Sequence, residues 1–239
     1  AEQKRLQYCP PYRCQVSRAT SDPSGSITKR TLVVRKLALL LSVVFQPLLM
    51  PSLVFGLLFF AVPQASSIPE SFKERLFYLI VTSTLLIPMV LMLGLRWSGM
   101  VKSLHFEEKS DRRTPFILVT LFYLLTTYFL KEKTELDPIL WQGMGIITFS
   151  VALLTGITFF WKMSAHMTGI GGVLGVLGIL AVYFPSLDLA YLLVATLLLG
   201  GLVASARLYL DAHRPAEVYV GLLVGFVICW MGFAWIYGF

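Results

Sequence analysis

Charge is scarce in this chain. Only 14% of its 239 residues are Asp, Glu, Lys or Arg, against 56% hydrophobic, and mean hydropathy is +0.75. That balance excludes an ordinary water-soluble domain beyond the first thirty or so residues. Cysteine is nearly absent as well: Cys9, Cys14 and Cys229 are too few for a disulfide framework, and Cys229 sits in an apolar run. Cys9 and Cys14, beside prolines in a polar segment, leave open a single pair or half of a metal site, which is a weak signal. Histidine occurs three times only, at His105, His166 and His213. Acidic residues are outnumbered, 13 against 20 basic, giving a net charge of +7. The basic excess lies in the first thirty residues and between apolar runs, so it points to phosphate-bearing lipid and not to nucleic acid.

What the chain has in quantity is apolar runs of bilayer length, which take roughly 17 to 25 residues at 1.5 Å per residue. Residues 1–34, with Pro10, Pro11, Pro23, Lys4, Arg5, Arg13 and Arg18, read as a basic, mostly disordered tail, and 35–239 as a transmembrane helical domain. A signal peptide is not expected, because the first apolar run is too long for one. The fold class is all-α: a polytopic transmembrane helix bundle of six to seven spans. Their expected limits are about 37–62, 76–95, 116–130 (a short span) and 139–160, then a glycine-rich span following Gly169, then about 189–206 and 218–237. Pro47 and Pro51 should kink the first. Gly171, Gly172, Gly175 and Gly178 should let the fifth pack closely against a neighbour.

Span parity tests whether the polar interruptions can share a site. The stretch Arg96 to Thr114 is two crossings from Ser164 and His166, which are two crossings from Arg207 and His213. All three therefore emerge on one face, and an odd count would have separated them by about 30 Å of hydrocarbon. Each carries one of the three histidines, beside Lys109, Arg112, Arg113, Lys162 and Arg207. Guanidinium groups can hold a phosphate, an imidazole can attack it, and a carboxylate such as Glu217 can orient the imidazole. The plain alternative is a set of basic interfacial loops.

The spacing Ala206-Arg207, five residues, His213, three residues, Glu217-Val218, with Gly221 beyond, resembles the third motif of the type 2 phosphatidic acid phosphatase superfamily: Ser-Arg, five residues, His, three residues, Asp. Met163-Ser164-Ala165-His166 resembles its second motif, Pro-Ser-Gly-His. Arg112-Arg113-Thr114-Pro115 resembles the end of the first, without a Lys at its spacing, Lys102 and Lys109 being the nearby substitutes. The likeness spans about residues 96 to 235.

The resemblance implies a metal-free, cofactor-free hydrolase of integral membranes. His213 would attack phosphorus to form a phosphohistidine, Glu217 would orient its ring, and His166 would protonate the leaving group. Arg207, Arg113, Arg112, Lys109, Ser164 and the backbone at Ala165 would hold the phosphate oxygens. The implied partner is a phosphorylated membrane lipid of the phosphatidate, isoprenyl phosphate or lipid A kind; the compact loops, without organelle signals, point to a bacterial inner membrane. The alternative is a weak or inactive relative that binds lipid head groups or serves as a subunit of a larger assembly. Basic loops place the tail and site in the cytoplasm, whereas related enzymes usually face outward, and both orientations stay open.

Overall fold

In hydrocarbon every backbone N–H and C=O needs an internal partner, so an apolar run of bilayer length becomes a helix. The computed structural model of the chain describes residues 29–97, 109–133, 137–185 and 187–238. Nine α-helices run through these residues, and no strand occurs among them: α1 (Lys29–Val44), α2 (Met50–Gly56), α3 (Glu70–Val81), α4 (Ile87–Trp97), α5 (Lys109–Glu132), α6 (Pro138–Thr158), α7 (Ala165–Tyr183), α8 (Ala190–Tyr209) and α9 (Pro215–Ile236). Short π and 3₁₀ turns join α1 to α2 and α3 to α4, giving seven segments long and apolar enough to cross a membrane. Their outer faces stay apolar and exposed: Leu121, Leu124, Leu125 and Tyr128 on α5, and Leu197, Leu198 and Leu202 on α8. A soluble surface avoids such patches, whereas contact with lipid tails requires them.

Two boundaries differ from the sequence expectation. Helix α1 begins at Lys29, inside the stretch 1–34 read as tail, while residues 1–28, with Cys9 and Cys14, lie outside the described residues. The third span is not short, because α5 runs for 24 residues and takes the charged turn Lys109 to Arg113 into the same helix. Charged side chains tolerate helical backbone well, provided that turn stays outside the hydrocarbon. The proline break occurs where expected: α1 stops at Val44, a 3₁₀ turn covers Pro47–Leu49, and α2 restarts at Met50.

The seam between α7 and α9 is the most extensive helix contact. It is built from small residues on both sides. A Cβ placed on Gly225 would collide with the Thr168 carbonyl, and one on Gly221 would sit 2.8 Å from the Ser164 carbonyl. On the α7 side, one on Gly175 would come within 2.5 Å of the Phe226 carbonyl. Only glycine allows two backbones this near. Thr127 to Thr148 and Thr120 to Thr155, both at 2.9 Å, tie α5 to α6.

The end of the bundle opposite the three candidate polar segments holds several paired polar groups. Asp137 accepts from the Ser67 amide at 2.6 Å and its hydroxyl at 2.7 Å, and caps α6 through the Ile139 N–H at 3.0 Å. Lys73, 2% exposed, pairs with Glu70 at 2.6 Å and reaches the Pro63 carbonyl. The Tyr237 hydroxyl donates to the Ala65 carbonyl, and burial, then the nearby Asp137 and Tyr183, push that phenol's pKa upward.

Candidate active site

At the other end α5 begins, α6 ends, α7 begins, α8 ends and α9 begins. Local backbone chemistry fixes the approach of His213. Helix α8 closes with the Asp211 N–H bonded to the Leu208 carbonyl and the Ala212 N–H to the Arg207 carbonyl, both 3.1 Å. This is a Schellman turn, with Asp211 at φ 50° in the left-handed place usually taken by glycine. Four residues after Asp211, Pro215 occupies the first position of α9, where a missing N–H costs nothing. Glu217, in the third position, reaches back to the Arg214 N–H at 3.1 Å and so closes the start of α9. His213 is held between a helix that has just ended and one about to start.

The same Glu217 oxygen, Oε2, lies 3.0 Å from His213 Nδ1, and the Lys162 carbonyl lies 3.2 Å from that nitrogen. Both neighbours accept hydrogen bonds, a carboxylate and a carbonyl, so Nδ1 carries the proton in a neutral ring and the lone pair sits on Nε2. His213 and Glu217 are both buried at 7% exposure. One carboxylate oxygen thus caps a helix and sets a histidine tautomer. That is a physical reason for Glu at this position, because the capping box favours Glu or Gln.

The loop before α7 is drawn into the cluster by the backbone. The Ser164 N–H donates to the Glu217 carbonyl at 3.1 Å, joining the start of α7 to the first turn of α9. Ser164 stands in the N-cap position of α7, where a serine ordinarily accepts from the helix amides, yet its side chain makes no capping bond. Its Oγ is fully buried and has no protein partner. Arg207, in the last turn of α8, likewise has its Nε buried without a partner. Folded proteins leave few such groups, and each calls for an explanation. Among the described residues there are five: Ser42, Ser52, Ser66, Ser164 and Arg207. Two of them are sequence-selected site residues.

His166, the second residue of α7, points its Nε2 at the Ser42 carbonyl of α1, 2.9 Å away. The Arg113 guanidinium lies 5.1 Å from the centre of the Phe159 ring, so the start of α5 stacks on the residue that closes α6. Ala165 is buried at the start of α7. The side chains of Lys109 and Arg112, as well as all of His105, lie outside the described residues. Recorded contacts therefore gather Lys162, Ser164, His213 and Glu217 into one cluster. Arg207 lies in the last turn of α8, its carbonyl bonded to the Ala212 N–H, Arg113 stacks on Phe159, and His166 is tied to α1. Sequence reasoning missed two participants, the carbonyls of Lys162 and Ser42, because a backbone carbonyl leaves no mark in residue identity. Comparison of the chain with family models, with curated proteins and with solved structures gives no match.

Proposed function

We propose that the chain is an integral membrane lipid phosphatase working through a phosphohistidine on His213, a reading that rests on the motif spacing and on the local geometry together. The observation that carries it is the His213 ring, whose Nδ1 faces Glu217 at 3.0 Å and the Lys162 carbonyl at 3.2 Å, with Ser164, its Oγ buried and unpartnered, bonded through its amide to the Glu217 carbonyl. Fixing Nδ1–H directs the Nε2 lone pair to phosphorus, and the carboxylate stabilises the positive charge that grows on the ring as the N–P bond forms. Phosphoryl transfer asks little more of a protein than such an in-line nucleophile and donors for the equatorial oxygens. Arg207 and Ser164 supply donors, Arg113 with Arg112 and Lys109 supply further cationic charge, and His166 is the acid for the leaving oxygen. The substrate is a phosphomonoester or diphosphate of a lipid, its tail among the helices and its head at the interface.

Purified protein in detergent micelles should release inorganic phosphate from phosphatidate in the presence of a chelator. His213→Ala should lower that release by about a thousandfold or more. Release that survives the substitution refutes the assignment of His213. A second reading, an inactive relative that binds lipid head groups, is favoured by the exposed Arg113 stacked on Phe159. It predicts phosphorylated lipid retained through purification and no turnover.

A further inference from the structure

The three motif-bearing segments all lie after residue 96, yet one of the candidate site's histidines is anchored before it. Proline disfavours helical backbone in the residue that precedes it. Gln46, before Pro47, accordingly adopts φ −64° and ψ 149°. The last rung of α1 is the Phe45 N–H to the Leu41 carbonyl at 3.0 Å, and the next, from Gln46 to Ser42, does not form. A helix end leaves its final carbonyls in need of donors. The donor that reaches Ser42 comes from 124 positions along the chain: His166 Nε2, at 2.9 Å. Ser42 and Ala38, one turn earlier, are both buried on the inner face of α1, which packs against α8.

A carbonyl oxygen can only accept, so the contact requires the proton on Nε2 and places the neutral ring's lone pair on Nδ1. We propose that the first membrane helix belongs to the catalytic machinery: the Ser42 carbonyl, exposed by the Pro47 break, is the positioning group that makes His166 exchange its proton through Nδ1. The inference deepens the phosphatase reading and rests on it. In the step it serves, the bond from His213 Nε2 to phosphorus forms and the bond from phosphorus to the leaving oxygen breaks. The Nδ1 proton of a protonated His166 passes to that oxygen, the alcohol departs neutral, and His166 returns to the form with hydrogen on Nε2 alone. Ser42 then stands to His166 as Glu217 stands to His213, each fixing which nitrogen reacts.

The test uses the full chain in micelles and two probes, didecanoyl phosphatidate, with a poor alkoxide leaving group, and 4-nitrophenyl phosphate, whose leaving group needs no acid. In Pro47→Ala, Gln46 is free to stay helical and to take the Ser42 carbonyl for its own N–H. Turnover of phosphatidate should then fall at least about tenfold more than turnover of the aryl ester, since a general acid is worth about 10²- to 10⁴-fold. Nitrogen-15 imidazole spectra, with His166 assigned through His166→Asn, should show Nε2 protonated in the wild type and a mixture of tautomers in Pro47→Ala. Equal losses on the two esters would mean that His166 merely caps α1, and would overturn the proposal. A wild-type spectrum with the His166 proton on Nδ1 overturns it too, and decides the matter even if Pro47→Ala does not fold. Absence of turnover of both esters by the wild type sinks the phosphatase reading itself, an outcome that the tautomer spectrum tells apart from a failed anchor.

Discussion

Replacing Glu217 by Gln separates two roles that one oxygen plays at once. Glu217 Oε2 accepts from the Arg214 N–H at 3.1 Å and from His213 Nδ1 at 3.0 Å, and the side chain is nearly buried. A Gln amide oxygen can take both bonds, and Gln is a natural capping-box residue, so the start of α9 should survive. What disappears is the charge. Hydrogen bonds to ionised groups contribute about 1.5–3 kcal/mol against about 1 for neutral ones, which puts the stability loss near 1 kcal/mol. In the transition state of the proposed mechanism the buried histidine ring becomes cationic, and there a lost countercharge weighs more. A loss near that of an oxyanion-hole donor, about 3 kcal/mol or roughly a hundredfold in turnover, is expected. Glu217→Ala, by contrast, gives up the cap as well, adding about 1 kcal/mol of destabilisation. Phosphate release from phosphatidate and thermal unfolding, measured on the same preparations, separate the two variants. Wild-type turnover in Glu217→Gln, or a Gln variant as unstable as the Ala variant, would refute this division of labour.

Gly225→Ala forces a methyl against the Thr168 carbonyl, so α7 and α9 must separate. Overpacking of this kind costs about 1–3 kcal/mol, and the bond from the Ser164 amide to the Glu217 carbonyl should lengthen, lowering phosphate release along with the melting temperature. A variant with wild-type activity and stability would show that the seam does not hold the site. Asp211→Gly relieves the left-handed backbone at φ 50° that closes α8. Because that region costs a non-glycine residue up to about 1–2 kcal/mol, less for Asp, the variant should unfold at a higher temperature, and an unchanged or lower one would contradict the Schellman assignment.

How much of this was legible in the sequence depends on what kind of atom carries each feature. The spans were, because a bilayer sets a minimum apolar length and leaves the helix as the structure that meets it. The Pro47 break and the close-packing face of α7 followed from residue chemistry in the same way, as did the grouping of Ser164 with His213 from counting crossings. The start of α5 was misread because Lys109 to Arg113 look like a loop by polarity, whereas Lys and Arg are good helix formers that can carry a helix past the hydrocarbon. Glu217 was read as an orienting carboxylate, but the tetrapeptide Arg-Pro-Ala-Glu is equally a helix start, and the folded chain uses one oxygen for both. The anchoring of His166 was out of reach, since it joins a ring nitrogen to a main-chain oxygen more than a hundred residues away.

The glycine seam has a consequence for how a fatty substrate could arrive. Helices whose main chains touch along several turns cannot part without giving up that contact wholesale, so α7 and α9 make a fixed wall behind His213. On the phosphatase reading proposed above, a long hydrocarbon tail would therefore have to enter from another flank. Helix α1, which leans on α8 and meets the start of α7 through the bond from His166 to the Ser42 carbonyl, borders one such flank.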